Sequence, residues 1–230
     1  MPRISQKPPA GTSGRPDPYT YTEPEFGHKV TDAPLLLADF VLPLGEEDSV
    51  IDIGTSAAVI PLMLASKTPV KRIVGVELQP HLVEAARKNV ESNGLNDRIE
   101  IVEGDYRDLP KSFPRNSFSL VIANPPFVKR GSGRSSPDAS RSAARSELFG
   151  VLADLLEVSA YLVGSRGRVA YIFPVTRLAE MLSGLTGVGL TPVRLRFIHT
   201  APGKGAALFM VEAGRSGVLK IEAPLIQGQP

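Results

Sequence analysis

The chain has 230 residues, 42% of them hydrophobic and 22% charged, with a net charge of +2 and a pI near 8.9; this is enough chain to bury a sizeable core in one domain. The absence of Cys excludes disulfides, thiolate metal sites and cysteine nucleophiles, and three scattered His give no metal-ligand spacing, so no metal is expected. No long apolar run and no basic stretch leading into an apolar one is present, which predicts a cytoplasmic protein without a membrane partner.

In chain order, residues 1–25 carry Pro2, Pro8, Pro9, Pro16, Pro18 and Pro24 among Gly, Ser and Thr and read as an extended or disordered tail. A folded domain is expected over 26–215, followed by a Gly- and Pro-rich tail over 216–230. Asp32 to Val41 predicts a short helix, capped by Thr31 or Asp32, with Leu35, Leu36 and Phe40 on its apolar face. Ser49 to Gly54 reads as a buried strand ending in a turn, and Ala57 to Ala65 as a small apolar helix that tolerates Pro61 near its first turn. A second strand, Arg72 to Val76, ends in Glu77, at a spacing that suits one βαβ step.

Pro80 to Ser92 predicts a helix: Pro80 suits its start, Leu82, Val83, Ala86 and Val90 mark one side, and Asn93-Gly94 ends it. Ile99 to Val102, followed by Gly104-Asp105-Tyr106, repeats the strand-then-acid pattern, and Phe118 to Ala123 supplies a fourth strand. Arg168 to Phe173 is the fifth, followed by a helix over Thr176 to Leu185. Thr191 to Ile198 and Ala206 to Glu212 then pair as an antiparallel hairpin through Pro202-Gly203-Lys204-Gly205. The alternation predicts an α/β fold with a seven-stranded, mostly parallel sheet, one antiparallel strand and helices on both faces.

Asn124-Pro125-Pro126-Phe127, directly after the fourth strand, suits the methylation of a planar amino nitrogen. The lone pair of such a nitrogen is delocalised, so a site must localise it. An Asn oxygen and the carbonyl of Pro125 can each accept one amino hydrogen as the methyl group arrives. Pro125 and Pro126 stiffen the turn and remove competing donors, while Phe127 can stack on a base and exclude water.

The turn Asp52-Ile53-Gly54-Thr55-Ser56-Ala57-Ala58, the strand-ending Glu77 and the Gly104-Asp105 pair resemble the cofactor motifs of class I S-adenosylmethionine methyltransferases, which have a Rossmann-like fold. With Gly27-His28-Lys29-Val30-Thr31-Asp32-Ala33-Pro34-Leu35-Leu36 and Asn124-Pro125-Pro126-Phe127, the resemblance narrows to the bacterial tRNA (adenine-N6) methyltransferases that modify adenosine beside the anticodon of a valine tRNA. It spans roughly residues 25–215. It implies S-adenosylmethionine as cofactor, held by Lys29, Thr31, Asp32, Asp52, Gly54, Thr55, Ser56, Glu77, Leu78, Asp105, Tyr106 and Asn124. Glu77 would take the ribose and Asp105 the adenine amino group.

One departure is marked: the family turn has glycines where this chain has Ser56 and Ala58. A left-handed backbone at either would cost about 1–2 kcal/mol.

Lys129, Arg130, Arg134, Arg141 and Arg145 cluster after the tetrapeptide, and Arg194, Arg196 and Lys204 are candidates to extend that track for RNA phosphates. A solvated charged face is the alternative for any such run. The expected partner is RNA, most simply a tRNA, and a monomer is favoured. Three other readings remain at this level. They are a guanine-N2 rRNA methyltransferase, disfavoured by Val128 where His often follows; a glutamine methyltransferase acting on release factors; and a non-catalytic RNA-binding protein with a degenerate turn.

Overall fold

The computed structural model describes residues 19–22, 32–125 and 152–227. Its helices are α1 (Asp32–Phe40), α2 (Val59–Lys67), α3 (Pro80–Ser92), α4 (Leu109–Ser112), α5 (residues 152–162) and α6 (Leu178–Gly187). The strands are β1 (Ser49–Ile53), β2 (Arg72–Glu77), β3 (Ile99–Glu103), β4 (Phe118–Ala123), β5 (Val163–Pro174), β6 (Thr191–His199), β7 (Ala206–Gly214), β8 (Lys220–Ile221) and β9 (Leu225–Ile226).

They form one sheet in the order β3-β2-β1-β4-β5-β7-β6-β8, with β9 also paired to β6. Strands β1 to β5 run parallel, β7 is antiparallel to both β5 and β6, and the two-residue strands β8 and β9 run parallel to β6. This is a Rossmann-like α/β sheet with the single reversed strand that the hairpin predicted. Two additional strands come from residues after 216, which add to the β6 edge.

The central strands are apolar on both faces because helices cover both. Val50, Ile73, Leu120, Ile122, Ala170 and Ile172 pack with α1, α2 and α3. The alternate residues Ile51, Val74, Val121, Val169, Tyr171 and Phe173 pack with α4, α5 and α6. Helix α3 matches the predicted bounds, with Pro80 in its first turn and Gly94 at φ +64 just past its end.

Two elements differ from the sequence expectations. Strand β5 begins five residues early, at Val163, and skips register between Phe118 and Leu120 of β4. Residues 19–22, expected in the tail, are docked on α3. Tyr19 and Tyr21 are buried in the core of the α1–α3 face, and the backbone of Thr20 and Thr22 is hydrogen-bonded to Asn93 and Asn89. No helix among the described residues is long and apolar enough to cross a membrane.

Candidate active site

Strand order reverses between β1 and β4, and an open α/β sheet has its crevice outside the carboxyl ends of the strands at such a point. Ile53 is in register with Ala123 and with Val76, and Glu77 with Glu103. The residues that follow, Gly54, Asn124 and Gly104-Asp105, therefore leave the sheet on one edge together with Glu77. Asn124 and Pro125 are half-buried at the end of β4.

The turn after β1 is strained where its residue types predicted strain. Gly54 has φ +78, and the departures Ser56 and Ala58 lie at φ +52 and +67. Both non-glycine residues thus hold a left-handed backbone at about 1–2 kcal/mol each. Surrounding groups fix that geometry. The Gly54 and Thr55 amides donate to Val76 O at 2.8 and 2.9 Å. Glu77, only 6% exposed, accepts Ser56 N–H on Oε2 at 3.0 Å and Gln79 N–H on Oε1 at 2.9 Å.

Below the turn, a Cβ on Gly75 would lie 2.9 Å from Thr55 Cγ2 and Oγ1 and 3.0 Å from Ile101 Cδ1. A Gly75→Ala substitution is expected to push Thr55 off β2. The resulting overpacking should cost about 1–3 kcal/mol and lower Tm by roughly 2–4 °C per kcal/mol. An unchanged melting curve would show that Thr55 is not seated on Gly75.

Asp52 is 1% exposed, and neither of its carboxylate oxygens meets a hydrogen-bond partner of good geometry among the described residues. Burial pushes its pKa up to about 7; the nearby Thr55 hydroxyl draws it down in part, and Glu77 adds to the rise. Asp105, at the next strand end, has the opposite environment. Its carboxylate is gripped by the Arg107 guanidinium and accepts Arg107 N–H at 3.0 Å. That hydrogen bonding holds its pKa below the usual carboxylate range. Burial, with Asp154 nearby, pushes the Tyr106 phenol up to about 12. Leu78 stands 45% exposed just past Glu77.

Asp32 opens α1 and accepts a hydrogen bond from Gln227 Nε2 at 3.2 Å. The hairpin turn carrying Lys204 also lies at the carboxyl edge, where Lys204 O is 2.6 Å from His199 Nδ1. Arg194 and Arg196 share one face of β6, as strand alternation required, and both are engaged by other groups of the chain. Arg194 bridges Glu212 at 3.3 Å and Glu222 at 2.9 Å, stacks 3.9 Å over the Phe40 ring and donates to Phe40 O. Arg196 donates to Ala223 O at 3.0 Å. Arg168 adds a second bridge to Glu212, whose pKa burial raises against the pull of both arginines. Glu212 and Glu222 are partners that the local sequence pattern did not reveal.

Lys29, Thr31, Pro126, Phe127, Lys129, Arg130, Arg134, Arg141 and Arg145 lie outside the described residues. Sequence reasoning missed Arg107 as the partner of Asp105, and Gly75. It also missed Asn89, whose Nδ2 donates to Ala57 O of the turn at 3.0 Å. The arginine two residues after a strand-ending acid was the available signal for the first.

Known proteins bear on this arrangement. A tRNA1(Val) (adenine(37)-N6)-methyltransferase of Porphyromonas gingivalis is 36% identical over 156 residues, covering 67% of this chain and 60% of that protein. The match thus spans less than two thirds of that relative's length. One of the same name from Aeromonas hydrophila is 28% identical over 215 residues, covering 91% of this chain and 88% of the relative. Among solved structures, a predicted O-methyltransferase from Agrobacterium tumefaciens superposes with a TM-score of 0.67 at 21% identity, over 86% of this chain and 89% of the other; this establishes a shared fold. The sequence model of the methyltransferase small domain matches residues 25–140, a stretch that contains the β1 turn, Glu77, Asp105 and the Asn124 tetrapeptide. The chain belongs to the methyltransferase small domain family.

Proposed function

We propose that this protein is an S-adenosylmethionine-dependent N-methyltransferase acting on the exocyclic N6 amino group of adenine in RNA, with a tRNA as substrate. The observation that carries the reading is the register of β1 with β4, which sets Asn124-Pro125 beside Gly54 at the switch point of the sheet. The names of the relatives support adenine and tRNA over guanine, a glutamine side chain or a purely binding role.

The residues present fit this cofactor. Asp52 offers two buried, unpartnered oxygens at the foot of the turn, and a Cβ at Gly54 or Gly104 would meet only open space. In this reading Asp52, Gly54, Thr55 and Ser56 hold the amino-acid portion and Glu77 the ribose. Leu78, Asp105 and Tyr106 flank the adenine, and Lys29, Thr31 and Asp32 are the further cofactor-binding residues that the resemblance implies. Bound there, the cofactor supplies a methyl group activated by a positively charged sulfur. Asn124 Oδ1 and the Pro125 carbonyl each accept one hydrogen of the target amine, concentrating its lone pair toward the incoming methyl. Phe127 stacks on the base and excludes water. Lys204 and the basic residues between 129 and 145 meet phosphates of an RNA loop, whose adenosine is already partly unstacked. The proposal extends to a cytoplasmic monomer that needs no metal.

Labelled cofactor incubated separately with total tRNA, rRNA and release factors tests the reading. Methyl transfer confined to tRNA adenosine is expected, with that nucleoside missing from cells that lack the gene. Label on guanosine or on a release-factor glutamine would overturn it.

The pKa of Asp52 gives a second check. A carboxyl with a pKa near 3.8 when unfolded and about 7 when folded leaves the native state with more bound proton between those values. Its contribution to stability therefore falls as pH rises across that window and is flat above about 7. Relative to Asp52→Asn, wild-type denaturation free energies should decline with a slope approaching ~1.4 kcal/mol per pH unit. An ammonium group paired with ionised Asp52 reverses the preference, so cofactor affinity should rise with pH over the same range. Parallel profiles for wild type and Asp52→Asn would remove Asp52 from both roles.

A further inference from the structure

The turn that carries the proposed cofactor site is held in a costly backbone by groups outside it, and one of them sits on α3. Asn89 is 2% exposed in the last turn of that helix. Its Nδ2 donates to Ala57 O at 3.0 Å and to Thr22 O at 3.2 Å, and its Oδ1 accepts Thr22 N–H at 3.0 Å. The Thr22 amide fixes which way the carboxamide faces, because only the oxygen can accept that N–H. The nitrogen is thereby left toward Ala57. One turn later Asn93 reads Thr20 in the same two-bonded way, at 2.8 and 2.7 Å, and its Nδ2 also donates to Asn89 O at 2.7 Å.

Ala57 O belongs to the peptide unit that leads into Ala58, the residue at φ +67 that starts α2. A left-handed alanine relaxes unless its flanking peptide planes are held. Glu77 holds the plane before Ser56 through its N–H, and Asn89 holds the plane before Ala58 through its C=O.

We propose that Asn89, oriented by the docked segment Tyr19–Thr22, is a positioning residue for cofactor binding: it clamps the Ala57 carbonyl and keeps Ala58 left-handed, doing for this chain what a glycine would do without assistance. The inference rests on the cofactor reading above and adds a residue, and a stretch of chain some 35 residues upstream of the turn, to that site.

The test is a double-substitution cycle read by calorimetric Kd for S-adenosylmethionine and by amide hydrogen exchange of the turn in the ligand-free protein. Asn89→Asp keeps an acceptor for Thr22 N–H but loses the donor to Ala57. It is expected to weaken binding about tenfold or more and to speed exchange at residues 54–58. Glu91→Ala, an exposed change on the same helix, should stay within about threefold of wild type. Ala58→Gly in the Asn89→Asp background should recover most of the loss, since glycine adopts the left-handed backbone unaided; general damage to α3 would not be rescued this way. Wild-type affinity in Asn89→Asp, or a double variant as weak as Asn89→Asp alone, overturns the proposal. Wild-type protein that binds no cofactor would sink the functional reading instead, and the exchange measurement would still decide the clamp. Where Asn89→Asp does not fold, Thr22→Pro removes the N–H that orients the carboxamide; unchanged exchange at the turn in that variant overturns the clamp, and faster exchange supports it.

Discussion

Replacing Asn124 with Ala is expected to reduce methyl transfer by about 10²–10³-fold or more while cofactor affinity stays near wild type, the loss seen when one oriented hydrogen-bonding group is taken from a charge-stabilising site. The separation of effects follows from position. Asn124 is half-buried at the carboxyl end of β4, in line with Gly54 across the register but past the last core residue of its own strand, Ala123. Removing its side chain opens no cavity in the core, so Tm should hold. What disappears is one of the two acceptors proposed for the target amine, and with it the proposed pull that localises the lone pair. Asn124→Asp retains an oxygen acceptor and should lose less, roughly tenfold. The measurements are single-turnover rates with saturating cofactor and RNA, alongside calorimetric Kd values. An Asn124→Ala protein that transfers methyl groups at the wild-type rate would remove the tetrapeptide from the chemistry and return it to being a stiff turn after a strand.

Much of this site could be read from the sequence because its markers are local. Each of β1, β2 and β3 is a largely apolar stretch with an acid in or near its carboxyl end, so Asp52, Glu77 and Asp105 could be assigned to strand ends, and Asn124 followed as the fourth. Helix α3 carried its own boundaries in Pro80 and Asn93-Gly94. What was hidden depends on partners distant in the chain. Nothing in the Pro-rich residues 1–25 announces that Thr20 and Thr22 meet carboxamides on α3, about 70 residues away. Strand alternation put Arg194 and Arg196 on one face, yet only the β6–β7 register reveals Glu212 opposite Arg194. The early start of β5 could not be seen either: Gly164-Ser165-Arg166-Gly167 is poor strand sequence, and α5 runs into β5 with no turn residues between. Ser56 and Ala58 fall between these cases. Their residue types raised the question of left-handed backbone, and the answer came from the clamp on either side.

That clamp makes Glu77 the residue whose loss should do most to cofactor binding. Its two carboxylate oxygens each accept a backbone N–H, from Ser56 at 3.0 Å and from Gln79 at 2.9 Å, in a nearly buried setting. Hydrogen bonds to a charged acceptor contribute about 1.5–3 kcal/mol each, and deleting the acceptor leaves two part-buried donors without their partner. Glu77→Ala therefore releases the Ser56 peptide, lets its φ of +52 relax and withdraws the acid proposed for the ribose, all from one substitution. Cofactor affinity should fall by at least 100-fold, about 2.7 kcal/mol. Tm should fall as well, by several degrees at roughly 2–4 °C per kcal/mol. Glu77→Gln separates the two contributions. Its single oxygen can serve one N–H while its amide nitrogen opposes the other, so it should lose stability nearly as Ala does yet retain a hydrogen-bonding group at the ribose position and bind more tightly than Ala. If Glu77→Ala instead melts like wild type and binds cofactor undiminished, the left-handed turn stands without its carboxylate, and the strain at Ser56 must be carried by the Val76 carbonyl, which accepts the amides of Gly54 and Thr55 and would then be the remaining anchor on that side.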